Sequence, residues 1–288
     1  MLDFEYLEPT TVDEACTLLQ SYGDEAVLMS GGAAVTMWIS QRLLAPEAII
    51  SLAKIPNFDY VRFSEKDGLT IGAGARHRDI EMSPLVRQHY PLLYETFSKV
   101  AQPRIRYMAT IGGNLCTGDP ATDPGTSLMA LDAEVTLTST EGKRVLSLEE
   151  FFVDYYQTAL KPGEVLTEVR VPPPAEWAGW SRIKFTPRTE EDFATVGVSV
   201  ALKVRSGECE DIRLALNSVA PVIVRAHRAE EVLRGKRVTD ELLSEAGKVA
   251  ATEVEPTDDM RGSADYKRHL VKVLVPRAMR QALERIDG

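Results

Sequence analysis

A glycine pair, Gly112-Gly113, has neighbours suited to binding a phosphate. It follows a run of β-type composition, residues 108–111, and precedes Asn114. Residues without a Cβ atom let the backbone approach an anion and turn N–H groups onto it, and Thr110 and Asn114 offer side-chain donors. Taken alone, such a pair is more typical of a tight turn between two core elements.

A second glycine pair makes the phosphate interpretation the stronger one. Residues 26–29 are typical of a short buried strand, and they lead through Ser30 into Gly31-Gly32 and a predicted helix that extends to Leu44. Two glycine-rich segments in one domain can bind one pyrophosphate from both sides. The sequence therefore predicts a pyrophosphate site shared by the two segments.

In these segments the chain resembles the flavin-binding subunit of the molybdenum hydroxylases, the family of the carbon monoxide dehydrogenase medium subunit and the xanthine dehydrogenase flavin domain. That family has Ala-Gly-Gly-His-Ser in the first loop and Thr-Ile-Gly-Gly-Asn, then Pro-x-x-Asp, in the second. Ala33 and Ala34 replace the family's His and Ser, so the first loop must bind phosphate mainly through backbone N–H groups. Further matching segments follow in the family's order: Tyr156–Leu160, Pro162–Glu164, Lys184–Ala194 and Ser263–Arg268.

The resemblance implies a set of FAD-binding residues, without a catalytic residue or a metal ligand in this chain. The first pyrophosphate loop would comprise Met29, Ser30, Gly31, Gly32, Ala33, Ala34 and Val35, and the second Thr110, Ile111, Gly112, Gly113 and Asn114. Asp123 would bind the adenosine side, where its carboxylate could accept a ribose hydroxyl, and Ala101 would make a backbone contact. Either Arg104 or Arg106, at strand spacing, could face the diphosphate.

Three further residues would contact the flavin ring itself. Leu160 would pack near it, Lys184 would place a cation at its polar edge, and Phe193 would cover one face. A cation at that edge would stabilise the anionic reduced ring. Two alternatives remain open: Lys184 as a solvated strand lysine paired with Glu190 or Glu191, and Phe193 as a core residue.

The resemblance also implies function and partners. The chain would be the FAD-binding electron-transfer subunit of a heterotrimeric molybdenum hydroxylase, receiving electrons from a small iron–sulfur subunit and a large molybdopterin subunit and passing them to an external acceptor. A dimer of heterotrimers is expected. Two alternatives are a single-chain flavin reductase or oxidase of the same fold, and a cofactor-free assembly subunit, which the Ala33-Ala34 replacement makes plausible.

Composition limits the other functions. The 288 residues carry a formal net charge of −10 with a pI near 5.1, which argues against non-specific nucleic-acid binding. Three scattered cysteines are too few for a disulfide framework or an iron–sulfur cluster, and the four histidines lack metal-ligand spacing. Without a signal-like segment or a long apolar run, we expect a cytoplasmic chain with no membrane span.

The order of elements predicts an α+β fold with two domains. Residues 1–174 read as a two-part FAD-binding domain of the PCMH type, with mixed helices and strands, which ends at the proline run 172–174. Residues 175–288 read as a smaller domain in which a three-stranded antiparallel sheet is backed by a helical bundle. Ser206-Gly207 is its predicted hairpin turn.

Overall fold

The structure, a computed structural model, describes residues 3–174 and 179–287. The predicted domain boundary adjoins residues 175–178, which lie outside the described residues, so that boundary stays a prediction. No helix in the described ranges is long and apolar enough to cross a membrane.

The chain begins with a three-stranded parallel sheet. Its elements are β1 (Glu5–Leu7), α1 (Val12–Tyr22), β2 (Ala26–Met29), α2 (Ala33–Ser40) and β3 (Ala48–Ser51), with β3 at the centre of the sheet. Helix α1 starts where Thr11 accepts a hydrogen bond from the Glu14 amide, as a capping residue should. Every residue of β3 is buried, and the sheet carries the first glycine pair at the end of β2.

A five-stranded antiparallel sheet forms the second part of the first region. Its order is β4-β5-β10-β6-β7, so helices and a small hairpin occupy the connections between β5 and β10. The elements from Val61 onward are β4 (Val61–Ser64), β5 (Gly68–Gly72), α3 (His77–Met82), α4 (Pro84–His89), α5 (Pro91–Ser98), α6 (Pro103–Arg106), α7 (Ile111–Cys116), α8 (Asp123–Ala130), β6 (Glu134–Ser139), β7 (Gly142–Ser147), α9 (Leu148–Phe151), β8 (Phe152–Asp154), β9 (Gln157–Thr158) and β10 (Val165–Val171).

The C-terminal region contains an antiparallel sheet covered by helices, as predicted. Its elements are β11 (Gly179–Phe185), β12 (Val196–Arg205), β13 (Glu208–Asn217), β14 (Val224–Arg225), α10 (His227–Leu233), α11 (Asp240–Ala250) and α12 (Ala264–Asp287). The three long strands match the expected sheet, and β14 adds a two-residue fourth strand. Ser206 and Gly207 both have positive φ, which confirms the hairpin turn.

Each region has its own hydrophobic core. The first core lies between the two N-terminal sheets and helices α1, α3 to α5 and α7 to α9, and the second lies between the C-terminal sheet and helices α10 to α12. Ala215 and Ile223, from the C-terminal region, belong to the first core. The two regions are therefore packed together through apolar contacts near β13.

Two local predictions are wrong. Residues 108–111 do not form a strand, because Thr110 caps helix α7 and Ile111 is its first residue. Arg104 and Arg106 do not lie on a strand either, since Pro103 starts the short helix α6, where its fixed φ and missing N–H are tolerated. The second glycine pair therefore lies inside a helix instead of following a strand.

Candidate functional site

The first glycine pair forms the turn between β2 and α2. Gly32 has a φ of 78°, a left-handed conformation that glycine adopts without steric cost, and it caps α2 without a side-chain hydrogen bond. The first-turn amides of a helix have no acceptor within the helix. In α2 the residues that carry them, Ala33, Ala34 and Val35, have no hydrogen-bonding side chain of their own. This helix N-terminus is therefore suited to an anion.

The second glycine pair lies in the first turn of α7, where the amides already have acceptors. Ile111 N donates to Ala75 O and Gly112 N to Ala73 O, both at 2.9 Å. Gly113 N donates to Thr110 Oγ1 at 3.2 Å. A Cβ at Gly112 would lie 2.7 Å from Ala73 Cβ, so this glycine permits close packing on the segment after β5.

The two glycine segments are in direct contact. A Cβ atom at Gly31 would lie 1.8 Å from Met108 O and 3.1 Å from Thr110 N, distances that only glycine permits. A cleft of about 360 Å³ opens beside this contact, and Ser30, Arg76 and Tyr107 are among its lining residues. The fold thus brings the two predicted loops into one site.

Asn114 has an unsatisfied polar atom in this region. Its Oδ1 is buried and has no hydrogen-bond partner among the described residues. A buried carbonyl oxygen of this kind is uncommon, because leaving it unpaired costs about 1–3 kcal/mol. The uncapped N-terminus of α2 suits a group that presents an anion, and the Asn114 oxygen suits one that presents a hydrogen-bond donor; FAD presents both.

Asp123 is the first residue of α8, and its carboxylate contacts two cations. Arg182 Nη2 lies 2.6 Å from Oδ1, and Lys184 Nζ lies 2.9 Å from Oδ2. Lys184 also donates to Lys99 O at 2.8 Å, and its side chain is buried. The alternative of a solvated lysine paired with Glu190 or Glu191 is therefore wrong. Whether Asp123 also reaches a ribose stays a prediction.

The remaining predicted residues lie in different environments. Ala101 has a positive φ of 43°, and its carbonyl accepts a hydrogen bond from Arg106 Nη1 at 2.7 Å. Leu160 is half-buried against the first core. Phe193 is 54% exposed, so the alternative of a core phenylalanine is wrong.

Arg104 and Arg106 lie in different environments. Arg106 is buried and donates to Glu81 Oε2 at 3.0 Å and to Val100 O at 2.9 Å, so its guanidinium supports the turn at residues 100–101. Arg104 is exposed on α6. Of the two, Arg104 is therefore the side chain able to reach an external group.

Sequence reasoning missed Arg182. Its side chain is 1% exposed, and it links Asp123 to Asn217 and Ser199 of the C-terminal sheet. One signal could have found it: Arg182 and Lys184 are two residues apart on β11 and therefore point to the same face. The described residues contain no group of three or more histidine, cysteine or carboxylate side chains that could hold a metal ion.

Comparison with known proteins agrees with this geometry. Residues 2–174 match the FAD binding domain in molybdopterin dehydrogenase, and residues 181–282 match the CO dehydrogenase flavoprotein C-terminal domain. The chain belongs to the family of FAD-binding medium subunits of the molybdenum hydroxylases.

Individual relatives match along almost their whole length. The carbon monoxide dehydrogenase medium chain of Hydrogenophaga pseudoflava is 35% identical, with 98% of each chain covered. The glyceraldehyde dehydrogenase medium chain of Sulfolobus acidocaldarius is 30% identical, with 97% of this chain and 98% of that protein covered. A solved structure of the Hydrogenophaga pseudoflava carbon monoxide dehydrogenase lacking the Mo-pyranopterin moiety superposes with a TM-score of 0.95 at 36% identity, covering 98% of each chain.

Proposed function

We propose that this chain is the FAD-binding electron-transfer subunit of a heterotrimeric molybdenum hydroxylase. The observation that carries the proposal is the contact between Gly31 and residues 108–110, which joins the two glycine segments of the family into one site. FAD, when bound, supplies the redox chemistry, and the protein binds it, orients it and tunes its potential. The chain's own residues then need no acid–base pair.

Within this proposal the two glycine segments have different roles. The first-turn amides of α2, at Ala33, Ala34 and Val35, would hold the pyrophosphate, with Ser30 and the glycine pair forming the turn. The second segment would shape the opposite wall, and Asn114 Oδ1 would accept a hydrogen bond from the cofactor. Thr110, through its cap on Gly113, keeps that wall in place.

The other cofactor contacts are proposed from the same geometry. Lys184, held in its ion pair with Asp123, would direct its remaining N–H toward the flavin. Ala101 and Leu160 would pack against the flavin. Phe193, whose side chain is 54% exposed, would cover one ring face. An exposed aromatic side chain is expected where a ring can stack on it.

The proposed partners are a small iron–sulfur subunit and a large molybdopterin subunit, assembled as a dimer of heterotrimers. The relatives named as medium chains of carbon monoxide and glyceraldehyde dehydrogenases support this assembly. Electrons would enter from the iron–sulfur subunit and leave to an external acceptor. We also propose a cytoplasmic location, which suits three unpaired cysteines and which fractionation of the native host tests.

The cofactor is tested on the purified chain by its visible absorption spectrum. We expect one FAD per chain, released into the supernatant by acid precipitation because the contact is non-covalent. A colourless chain that still assembles with partner subunits would favour the assembly-subunit alternative. Yellow protein after precipitation would overturn non-covalent binding.

The assembly is tested by affinity purification of the tagged chain from its native host. Two further subunits containing molybdenum and iron should co-purify with it. A metal-free preparation of this chain alone that oxidises substrate at full rate would instead identify a single-chain flavin oxidase or reductase.

A further inference from the structure

The C-terminal sheet places a buried ion-pair triad between the two regions of the molecule. It consists of Asp123 at the start of α8 and Arg182 and Lys184 on β11, with side-chain exposures of 6%, 1% and 5%. The two cations and one carboxylate carry a net charge of +1 among themselves, and two further carboxylates, Glu95 and Asp192, interact electrostatically with Arg182 and Lys184 from outside the triad. Because the three side chains are buried, solvent and salt screen these charges less than they screen surface charges.

Neighbouring residues of the C-terminal sheet hold the Arg182 side chain of the triad in place. Asn217 is fully buried, donates to Ala121 O and Thr122 O at 3.3 Å, and its Oδ1 lies 3.4 Å from the Arg182 guanidinium. A Cβ at Gly197 would lie 1.8 Å from Asn217 Oδ1 and 2.8 Å from Arg182 Nη1. Any side chain at position 197 would therefore clash with the Asn217 and Arg182 side chains. The guanidinium is thus held against Asp123 from the C-terminal side.

Arg182 determines how much of the Lys184 charge is compensated. Lys184 on its own would be neutralised by Asp123, its ion-pair partner. Since Arg182 Nη2 also contacts that carboxylate, at 2.6 Å, one negative charge is shared between two positive ones. A cofactor beside Lys184 therefore experiences a more positive field than it would without Arg182, which favours a reduced, anionic ring over the neutral oxidised one.

We propose that Arg182 is a positioning residue that raises the reduction potential of the bound flavin by sharing the Asp123 carboxylate, so that this carboxylate offsets less of the Lys184 charge. This inference rests on the proposed function, because it takes Lys184 to face the flavin. It assigns a redox role to a residue outside the two glycine segments and outside the family motifs named above. It also makes that potential depend on packing between the two regions.

Spectroelectrochemical titration of the purified flavin-loaded chain tests the proposal, because midpoint potentials respond to charge and not to fold stability alone. Arg182→Met and Lys184→Met each reduce the net charge of the triad from +1 to zero and should lower the potential. We expect the Arg182→Met shift to be at least half of the Lys184→Met shift. Asp123→Asn raises the net charge to +2 and should shift the potential upward. Arg182→Lys should restore most of the native value.

Arg225 provides a matched control. Its side chain is also buried and also joins the two regions, through Asp132 at 2.7 Å, but its described partners include neither Asp123 nor Lys184. Arg225→Met should lower the melting temperature and leave the flavin potential unchanged. If Arg182→Met behaves as Arg225→Met does, Arg182 is structural and the inference is overturned. Should Arg182→Met not fold, Arg182→Gln keeps a neutral donor to Asp123 and should lower the potential in the same direction.

The outcomes separate this inference from the function on which it rests. A native chain that binds no FAD would contradict the proposed function before any variant is compared. A native chain that binds FAD, with Arg182→Met and Asp123→Asn at the native potential, would leave the function standing and overturn the role of Arg182.

Discussion

The two glycine pairs are alike in sequence and different in structure. Gly31-Gly32 forms a left-handed turn into α2 and leaves that helix uncapped by any side chain. Gly112-Gly113 lies inside α7, which Thr110 caps and whose first amides donate to Ala73 and Ala75. The first pair leads into a helix whose first-turn amides have no side-chain cap, and its Gly31 permits close contact with Met108 O, whereas in the second pair Gly112 permits close packing on Ala73. A glycine pair in a sequence therefore predicts that another group comes close to the backbone, but it does not identify that group.

The largest expected effect comes from the glycine that joins the two segments. Gly31→Ala would place a Cβ 1.8 Å from Met108 O, a backbone atom that cannot rotate away. We expect it to separate the segments, abolish FAD binding and lower the free energy of unfolding by more than about 3 kcal/mol. Chemical denaturation and flavin fluorescence measure the two effects.

Gly113→Ala is the matched control for that experiment. Its Cβ would meet a single side-chain atom, Thr110 Oγ1, at 2.9 Å, and alanine is favoured over glycine within a helix. We expect a stability change within about 1 kcal/mol of the native chain. If Gly31→Ala and Gly113→Ala destabilised the chain equally, the contact between the two glycine segments would contribute no more to stability than the packing around Gly113 does.

A second prediction concerns acid stability beneath the second segment. His77 donates its backbone N–H to Ala109 O, and its ring is buried against Phe97. Burial lowers the pKa of His77 from 6.5 to about 4. The unfolded chain therefore takes up a proton at a higher pH than the folded chain does. Stability present above pH 6.5 should be lost as the pH falls toward 4, by up to about 3 kcal/mol.

His77→Phe should remove this part of the pH dependence, because a phenyl ring of similar size does not titrate. The free energy of unfolding, measured at pH 7 and pH 4.5, should differ less in the variant than in the native chain. His269→Gln, at an exposed histidine, is the control and should retain the native difference. A His77→Phe profile that follows the native one would assign the acid sensitivity to carboxylates elsewhere.

A third prediction uses the unpaired oxygen of Asn114. Asn114→Leu removes a buried polar atom that has no partner among the described residues, so the cofactor-free chain should lose little stability or gain about 1 kcal/mol. If FAD supplies the missing donor, the same change should weaken FAD binding about tenfold. The melting temperature should then fall when FAD is present, and change little or rise when FAD is absent.

Ser218→Ala controls for polarity alone, since Ser218 Oγ is another buried atom without a described partner and lies outside both glycine segments. This variant should change the melting temperature equally with and without FAD. An Asn114→Leu variant that retains native FAD affinity would remove Asn114 from the site.

Sequence periodicity predicted the elements that bury a regular face. The strand at 26–29 was placed correctly from its short apolar run, and the hairpin at Ser206-Gly207 was confirmed, because apolar runs and turn chemistry are local properties. Helix α7 was missed because Ile-Gly-Gly-Asn has poor helix propensity, and its stability comes from the Thr110 cap and from acceptors on a distant segment.

For the candidate site, too, the sequence predicted local features but not contacts between distant residues. The motif positions could be read from the chain, but the partners of Asp123 could not, since Arg182 lies 59 residues away and reaches it only through the fold. Likewise, no local pattern predicts which glycine pair precedes an uncapped helix N-terminus and which one packs on Ala73. That distinction depends on capping and hydrogen bonding across the sheet.

The smallest expected effect tests the anion-binding role of the first segment. Ala34 lies in the first turn of α2, where the family has serine, and Ala34→Ser would add one hydroxyl donor beside the unpaired amides. If the pyrophosphate lies at this helix N-terminus, one added hydrogen bond should contribute about 1 kcal/mol and tighten FAD binding about fivefold. Titration of the cofactor-free chain with FAD, followed by fluorescence quenching, measures the change. Ala264→Ser, in the first turn of α12, adds the same hydroxyl at another helix start and should leave the FAD dissociation constant unchanged. A dissociation constant unchanged in Ala34→Ser would place the phosphates away from α2, and the difference between the two glycine pairs would then concern packing alone.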